Sequence, residues 1–478
     1  MDKNYTINGY ELDKAQMELI NSNTNTIVIA GAGSGKTFTI LAKMQHLIAN
    51  NYCKENEMLV ISFTNASVND IKKRIKYNID VYTFHKLAME MLNKANYNYK
   101  ICSSNLLDYI TSEFLLTCPQ KDQNTILNFL NLNIKYPNFL KTRYYNSFCN
   151  MIVTFINLYK TNNMKYDDIK IIKYTKIEKK ILTIIFKIYK SYLLEKKSAN
   201  SLDFDDLIIE ATHIVKKINL NYKYIIIDEF QDTSYIRLNL IKEIYTYTNS
   251  KIIVVGDDYQ SIYRFSGCNL GIFLNFDNLF PNVKRIKLIN TYRNSLDLIS
   301  IAATFIQKNP LQIKKNLISS KRCENPIVFV PYGNKIQALK NTLNKLLNIS
   351  HDIMILSRNN KDIYNYIDID YSLDNNNLTY KNNTIKYYTI HKSKGLEAEY
   401  VIVINCDNDY LGFPNKIENN SLINKLFPDK EIKYAEERRL FYVAITRCKE
   451  KTFLLYNKSN PSIFIKEIKR IAKKTKLP

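Results

Sequence analysis

Apolar runs and amphipathic stretches divide the chain into three parts. Thr26–Ala30 reads as a buried strand and Thr37–Ala49 as an amphipathic helix; Met58–Phe63 is a second strand, followed by a helical pattern over Ser67–Lys76. Tyr224–Ile227 and Ile252–Val255 are further short apolar runs that end at acidic or glycine residues. Short strands alternating with helical stretches predict a parallel α/β sheet. From about 88 to 200 the pattern changes to long Leu/Ile/Tyr/Lys/Asn stretches with two prolines and no glycine, which predicts an all-helical insertion. Beyond Pro281, strand-like runs return at Arg285–Ile289, Pro326–Val330, Asp352–Leu356 and Tyr400–Ile404 and predict a second α/β unit. Asn375–Asn377 and Asn382–Asn383 mark an Asn-rich loop. Lys469–Lys476 is a basic tail that reads as a solvated helix end, with a nucleic-acid contact or a targeting signal as the alternatives.

The longest apolar runs, such as Ile181–Phe186 with Thr183 inside it, fall far short of the roughly 18 residues needed to span a bilayer. The polar stretch Met1–Tyr10 has no apolar segment of the kind a signal peptide needs. The expectation is an intracellular protein, cytoplasmic or nuclear, neither secreted nor membrane-bound. The eight cysteines, with no Cys-x-x-Cys among them, read as free thiols in a reducing compartment. A net charge of +23 points toward a polyanionic partner, but the chain is rich in Lys, Asn, Ile and Tyr and has no Trp. Those residues have A/T-rich codons, so part of the charge reflects genome composition. The same bias makes glycine informative: ten are present where about 33 are usual, and three of them stand at 31, 33 and 35.

Those three belong to Ala30-Gly31-Ala32-Gly33-Ser34-Gly35-Lys36-Thr37, between the first predicted strand and its helix. A phosphate loop needs glycines so that successive N–H groups face the anion, a helix N-terminus behind them, a lysine for the β/γ-phosphates and a hydroxyl for Mg²⁺. The first position is Ala rather than Gly. Asp228-Glu229 follows the apolar run Tyr224–Ile227, where a carboxylate pair suits metal coordination by the first and water activation by the second. On this chemistry Lys36 holds the β/γ-phosphates, Thr37 and Asp228 hold Mg²⁺, and Glu229 activates the attacking water.

Asp228-Glu229-Phe230-Gln231-Asp232-Thr233 resembles motif II of the UvrD/Rep/PcrA-type superfamily 1 DNA helicases, and further segments agree in the family's order. Leu12–Gln16 resembles the Q motif, Ser62–Asn65 motif Ia, Thr83–His85 the next DNA-contacting motif, and Leu202–Leu207 a segment just upstream of motif II. Val255–Tyr263 resembles motif III, Asn290–Arg293 motif IV, His391–Glu397 motif V and Glu436–Arg447 motif VI. The resemblance spans residues 12 to about 455 and implies two RecA-like P-loop α/β domains with a helical insertion in the first. The implied division is 1–87 plus 201–283 for the ATP-binding domain 1A, 88–200 for the helical subdomain 1B, and 284–478 for domain 2A. The family's 2B insertion is expected to be reduced to a loop near 359–384.

The resemblance also implies roles. Gln16 reads adenine, Tyr292 stacks on it and Glu397 meets the ribose; Gln260 senses the γ-phosphate. Arg293 and Arg447 act as arginine fingers brought by the second α/β domain to the phosphate loop on the first. Phe63, Tyr263 and Phe265 are expected to stack DNA bases, with Thr64, Asn65, Thr83, His85, Arg358, Thr389 and His391 as further DNA contacts. Phe265 stands where the family often has Trp, and Phe38 where many relatives have an arginine, so one phosphate contact is expected to be missing. The function implied is a compact ATP- and Mg²⁺-dependent 3′-to-5′ DNA helicase or translocase acting on single-stranded and tailed duplex DNA. It is expected to work as a monomer alongside replication or repair partners. An RNA-directed helicase and a non-catalytic nucleic-acid-binding subunit are the alternatives.

Overall fold

The computed structural model describes residues 6–7, 9–418, 420–428 and 431–475. Its first layer is a six-stranded sheet of β1 (Thr26–Ala30), β2 (Met58–Ser62), β3 (Asp80–Thr83), β4 (Tyr224–Ile227), β5 (Lys251–Gly256) and β6 (Lys284–Leu288). The order is β6-β1-β5-β4-β2-β3 and every pairing is parallel. Strands buried on both faces read as continuous apolar runs, and β1, β2 and β4 are buried at every position. Their side chains alternate between two cores: Ile27 and Ile29 join one with Leu59 and Ile61, while Val28 and Ala30 join the other with Met58 and Val60. The helices α1 (Lys14–Asn21), α2 (Lys36–Ala49), α3 (Asn65–Arg74) and α4 (Phe84–Lys94) belong to this unit. Because all the strands are parallel, the loops after β1, β2, β3, β4 and β5 emerge at one edge, where open α/β sheets bind ligands.

Two boundaries expected from the sequence move. Lys284–Leu288 was expected in the second unit but pairs with β1, placing Ile286 and Leu288 beside Val28 in one core. The alternation that marks a strand carries no information about which sheet receives it. Helix α4 likewise runs past residue 87, and its Leu87, Ala88, Met91 and Leu92 sit in the first unit's core. The insertion begins after it, bracketed by a short parallel pairing of Lys100–Ile101 with Ser201–Leu202.

The insertion is helical as expected, with α5 (Leu106–Thr117), α6 (Gln120–Phe129), α7 (Arg143–Thr161) and α8 (Lys176–Ser198) around a single core. A buried charge cluster pins it to α9 (Phe204–Ile214). Lys160 pairs with Asp203 and, at 2.9 Å, with Asp206; Lys196 pairs with Asp206 and, at 2.8 Å, with Asp203.

The second unit begins with α10 (Leu296–Ile306) and carries a seven-stranded sheet. Its strands are β7 (Ile327–Tyr332), β8 (Ile353–Ser357), β9 (Tyr371–Asp374), β10 (Asn377–Tyr380), β11 (Asn383–Thr389), β12 (Ala398–Val403) and β13 (Cys448–Asn457), in the order β7-β13-β12-β8-β11-β10-β9. The last two are antiparallel, so residues 359–384 are not a loop: they extend the sheet by a two-stranded ribbon. Two-residue turns make this possible. Asp374 faces Asn377 and Tyr380 faces Asn383, and both Lys381 and Asn382 adopt the positive φ that a tight hairpin turn requires. Among the described residues, eleven of the fourteen non-glycine positions with positive φ are asparagines, the side chain that best tolerates that region after glycine.

Helices α11 (Ser421–Leu426) and α12 (Ala435–Ile445) lie between β12 and β13. Leu422, Ile423 and Leu426 of α11 enter the core of the helical insertion. Ser421 Oγ and Lys425 Nζ meet the Glu178 carboxylate at 2.9 and 2.6 Å, so this segment straps the second unit to the insertion. Of the basic tail, Lys469–Thr475 forms the end of the helix Ile463–Thr475, and Lys476 lies outside the described residues, as do Met1–Tyr5 of the polar N-terminal stretch.

Candidate nucleotide site and nucleic-acid groove

The loop after β1 turns through Gly33 (φ 68°) and Gly35 (φ 74°) before α2 begins at Lys36. Space as well as conformation demands glycine at 33, because a Cβ there would lie 2.5 Å from Arg293 Cβ. Thr291 Oγ1 donates to Ala32 O at 2.8 Å and Tyr292 N to Gly33 O at 2.9 Å, so the loop is stitched to the segment that carries Arg293. No side chain caps α2, and Ser34 Oγ is buried without a partner. An uncapped helix N-terminus with an orphaned hydroxyl behind a glycine-rich turn suits a phosphate.

The loop forms one wall of a cleft of about 690 Å³ that also receives Thr37, Asp228, Glu229, Gln260 and Arg447. Glu229 has positive φ (51°), which aims its carboxylate at Lys36 Nζ, 2.7 Å away. Gln231 Nε2 donates to its other oxygen at 2.5 Å, and Lys394 Nζ stands 3.7 Å off. Burial pushes the Glu229 carboxyl upward, but Lys36 and Lys394 outweigh it and hold the group well below the usual range, so it is an available base at neutral pH. Asp228 is the converse: burial, then the adjacent Glu229 charge, raise it to about 6. Burial also raises Asp232 to about 6 against the pull of Lys394, with which it pairs. Thr37 and Asp228 offer only two protein oxygens, which fits Mg²⁺, an ion that keeps several waters and substrate oxygens in its shell.

The opposite wall carries the arginines. Arg447, 1% exposed, follows α12 and donates to Gln260 Oε1 at 2.7 Å, while Gln260 Nε2 donates to Asp257 Oδ2 at 2.6 Å. Arg293 Nε donates to Glu397 Oε2 at 2.8 Å; Glu397, expected at the ribose, is also paired with Lys449 at 3.2 Å. Arg293 was expected to come from the second unit. It stands on the crossing between β6 and α10, hydrogen-bonded into neither sheet. Gln16 and Tyr292 both lie against Gly35; Tyr292 lines the cleft, whereas Gln16 is buried and does not line it. Tyr292 is half exposed, and its hydroxyl donates at 2.9 Å to Asp13, which caps α1 reciprocally with Gln16. Ala30 closes β1, Gly31 packs on Leu317, and Phe38 lines the cleft where a cationic contact was expected to be missing.

The expected DNA contacts fall into two groups. Phe265, Arg358, Thr389 and His391 line a second cavity of about 880 Å³, bordered by Thr154 and Leu158 of the helical insertion and by the strap. Phe265 is 62% exposed and meets the His391 ring edge-on at 5.5 Å; Tyr263 lies behind them with its hydroxyl donating to His391 O at 3.0 Å. Arg358 is engaged by Glu437 at 2.7 Å and Thr389 is buried, so these two are less open to a ligand than expected. Burial, and next the Arg358 charge, lower His391 to about 4, leaving it neutral. The second group lies at the ends of β2 and β3. Phe63 stacks edge-on with Phe84 at 6.1 Å beneath the Arg237 guanidinium, 4.7 Å above it. Thr83 caps α4, His85 packs on Phe204 at 5.3 Å, and Asn65 opens α3 in solvent. Thr64 caps α3 and lines the nucleotide cleft together with Ala66, Ser67 and Asp70 of that helix, not the groove.

Sequence reasoning assigned no role to Lys394, Gln231 or Lys315. The first two lie inside quoted motifs and touch Glu229. Lys315 carries no signal in a chain with 68 lysines and arginines.

The profile of the UvrD/REP helicase N-terminal domain matches residues 12–281, and that of the UvrD-like helicase C-terminal domain residues 370–459. DNA helicase IV of Escherichia coli (strain K12) is 28% identical over 95% of this chain and 69% of its own length. ATP-dependent DNA helicase Rep of Buchnera aphidicola subsp. Schizaphis graminum is 27% identical over 90% and 65%. A probable DNA helicase of Mycoplasma pneumoniae is 26% identical over 91% and 80%. The chain thus spans about two thirds of the length of the first two. With the N-terminal profile alone covering more than half of the sequence, and a nucleotide cleft lined by the matching motifs, the chain belongs to the UvrD/Rep helicase family, whose members use ATP with Mg²⁺.

Proposed function

We propose that this chain is an ATP-dependent DNA helicase motor that moves 3′ to 5′ on single-stranded DNA and separates duplex ahead of it. The observation that carries the reading is the single cleft in which Lys36 and Glu229 of the first unit face Arg447 of the second. Lys36 leaves Glu229 for the β/γ-phosphates of ATP, and the freed carboxylate accepts a proton from the attacking water. Thr37 and Asp228 would hold a magnesium ion, which would supply charge neutralisation at the phosphates. Arg447 and Arg293 meet the negative charge that develops on the transferring phosphoryl group, so turnover draws the two units together. Gln16 and Tyr292 take the adenine at the mouth. DNA lies in the second cavity with bases against Phe265 and Tyr263 and continues past Phe63. Among the described residues no helix is long and apolar enough to cross a membrane.

The test is ATP hydrolysis by the purified chain alone, with single-stranded DNA and with single-stranded RNA, then with the Lys36→Ala variant. Stimulation by DNA that Lys36→Ala abolishes is the expected result, and 3′- and 5′-tailed duplexes then report direction. Equal stimulation by RNA would make it an RNA-directed motor. Turnover that survives Lys36→Ala would refute the site.

A further inference from the structure

Lys315 lies on the segment between α10 and β7, is almost fully buried and does not line the cleft. Its Nζ donates to the carbonyl of Ala30, the last residue of β1, at 2.8 Å, and pairs with Asp257 Oδ1 at 2.5 Å and Asp258 Oδ1 at 2.6 Å. Two arms leave Asp257. Its second oxygen accepts from Gln260, which in turn accepts from Arg447. Its backbone N–H donates to Gln231 Oε1 at 3.0 Å, and Gln231 holds Glu229. The segment is fixed on both sides of Lys315: Ile313 N donates to Asp258 Oδ2 at 2.8 Å, Tyr259 OH donates to Ile313 O at 2.7 Å, and Leu317 packs where Gly31 leaves no room for a Cβ. A buried cation is retained only with partners that compensate its desolvation. Here they are the root of the phosphate loop and the carboxylate that orients the γ-phosphate side of the cleft.

We infer that Lys315 is a positioning residue for ATP hydrolysis: it locks Asp257 to the phosphate loop so that Gln260 presents its amide oxygen to Arg447. The inference rests on the proposed ATPase reading. Ångström-scale misplacement of a reacting group costs on the order of 100-fold in rate, and Lys315 sits one carboxylate away from Gln260.

The experiment compares Lys315→Met, the charge-balanced pair Lys315→Met with Asp258→Asn, Gln260→Ala, and Gln260→Ala combined with Lys315→Met, using the full chain at saturating single-stranded DNA. The pair keeps one buried carboxylate uncompensated, as in the unaltered protein, and guards against loss of fold, which circular dichroism monitors. The expected result is a fall in kcat of about 10- to 100-fold with the KM for ATP within about threefold, and a combined variant no slower than the slower single one, because residues acting as a unit are not additive. A balanced pair that folds and turns over normally, a loss that multiplies with that of Gln260→Ala, or failure of both Lys315 variants to fold would each overturn the assignment. Absence of turnover in the unaltered protein would instead remove the ATPase reading, and this one with it.

Discussion

Replacing Arg447 by methionine separates a transition-state arginine from a structural one. All three acceptors of its guanidinium are neutral: Gln260 Oε1 at 2.7 Å, Leu396 O at 3.3 Å and Val443 O at 3.2 Å. Burial, followed by the Arg293 charge, lowers its pKa from the ordinary arginine value to about 9. At roughly 1.4 kcal/mol per pKa unit, that is on the order of 5 kcal/mol against holding the cation there. Two of the three hydrogen bonds are long, so each contributes near the lower end for a charged donor, roughly 1.5 kcal/mol. Methionine removes both terms, which nearly cancel, and keeps most of the packing. The nucleotide-free variant should therefore melt within about 8 °C of the unaltered protein, at roughly 2–4 °C per kcal/mol. Turnover with DNA should fall by roughly 10³–10⁵, the range for an arginine finger, because the compensating anion is the transferring phosphoryl group. A coupled ATPase assay and a thermal melt on the same preparation decide the matter. Turnover within tenfold of the unaltered protein, or a melting loss well beyond 10 °C, would identify Arg447 as a structural residue and refute the reasoning.

Phe265→Ala removes an exposed ring and should leave the melt unchanged while weakening single-stranded DNA binding by roughly 1–3 kcal/mol, about 5- to 150-fold by fluorescence anisotropy. His391 and His85 are both lowered to about 4 by burial, so below pH 6.5 the unfolded chain binds protons that the folded one refuses. Stability is thus complete above pH 6.5 and falls toward pH 4 by at most about 3 kcal/mol per histidine; His391→Gln should flatten this decline in melts between pH 7 and 4.5. Leu422→Ala empties a fully buried position of α11 within the insertion's core. It should weaken the strap by roughly 2–5 kcal/mol, read as faster proteolysis near residues 415–434, and an unchanged digestion pattern would deny the strap its role.

What the sequence made legible follows from how far each signal reaches along the chain. The phosphate loop and Asp228–Glu229 were visible because a few adjacent residues state both the backbone turn and the chemistry. The six apolar runs that became β1, β2, β4, β5, β8 and β12 were visible because strands buried on both faces leave no polar interruption. Lys284–Leu288 went to the wrong unit because its partner β1 lies more than 250 residues away. The ribbon at 371–380, inside the stretch 359–384, was read as a loop because asparagines crowd its two turns, although the residues between the turns pair, Asn377 among them. The docking of α11 depends on a core built by residues far upstream. Lys315 depends on two carboxylates 57 and 58 residues away, and no local pattern marks it.

The asparagines at positive φ also divide glycine's two roles. Where a turn asks only for a left-handed backbone, asparagine supplies it eleven times among the described residues. Glycine persists mainly where a single extra carbon has nowhere to go: at 31, 33, 256, 267, 271 and 412 a Cβ would meet another atom within 3.0 Å. Of these, Gly33 lines the nucleotide cleft, so the glycine pattern is in part a map of where the fold leaves no room for a side chain.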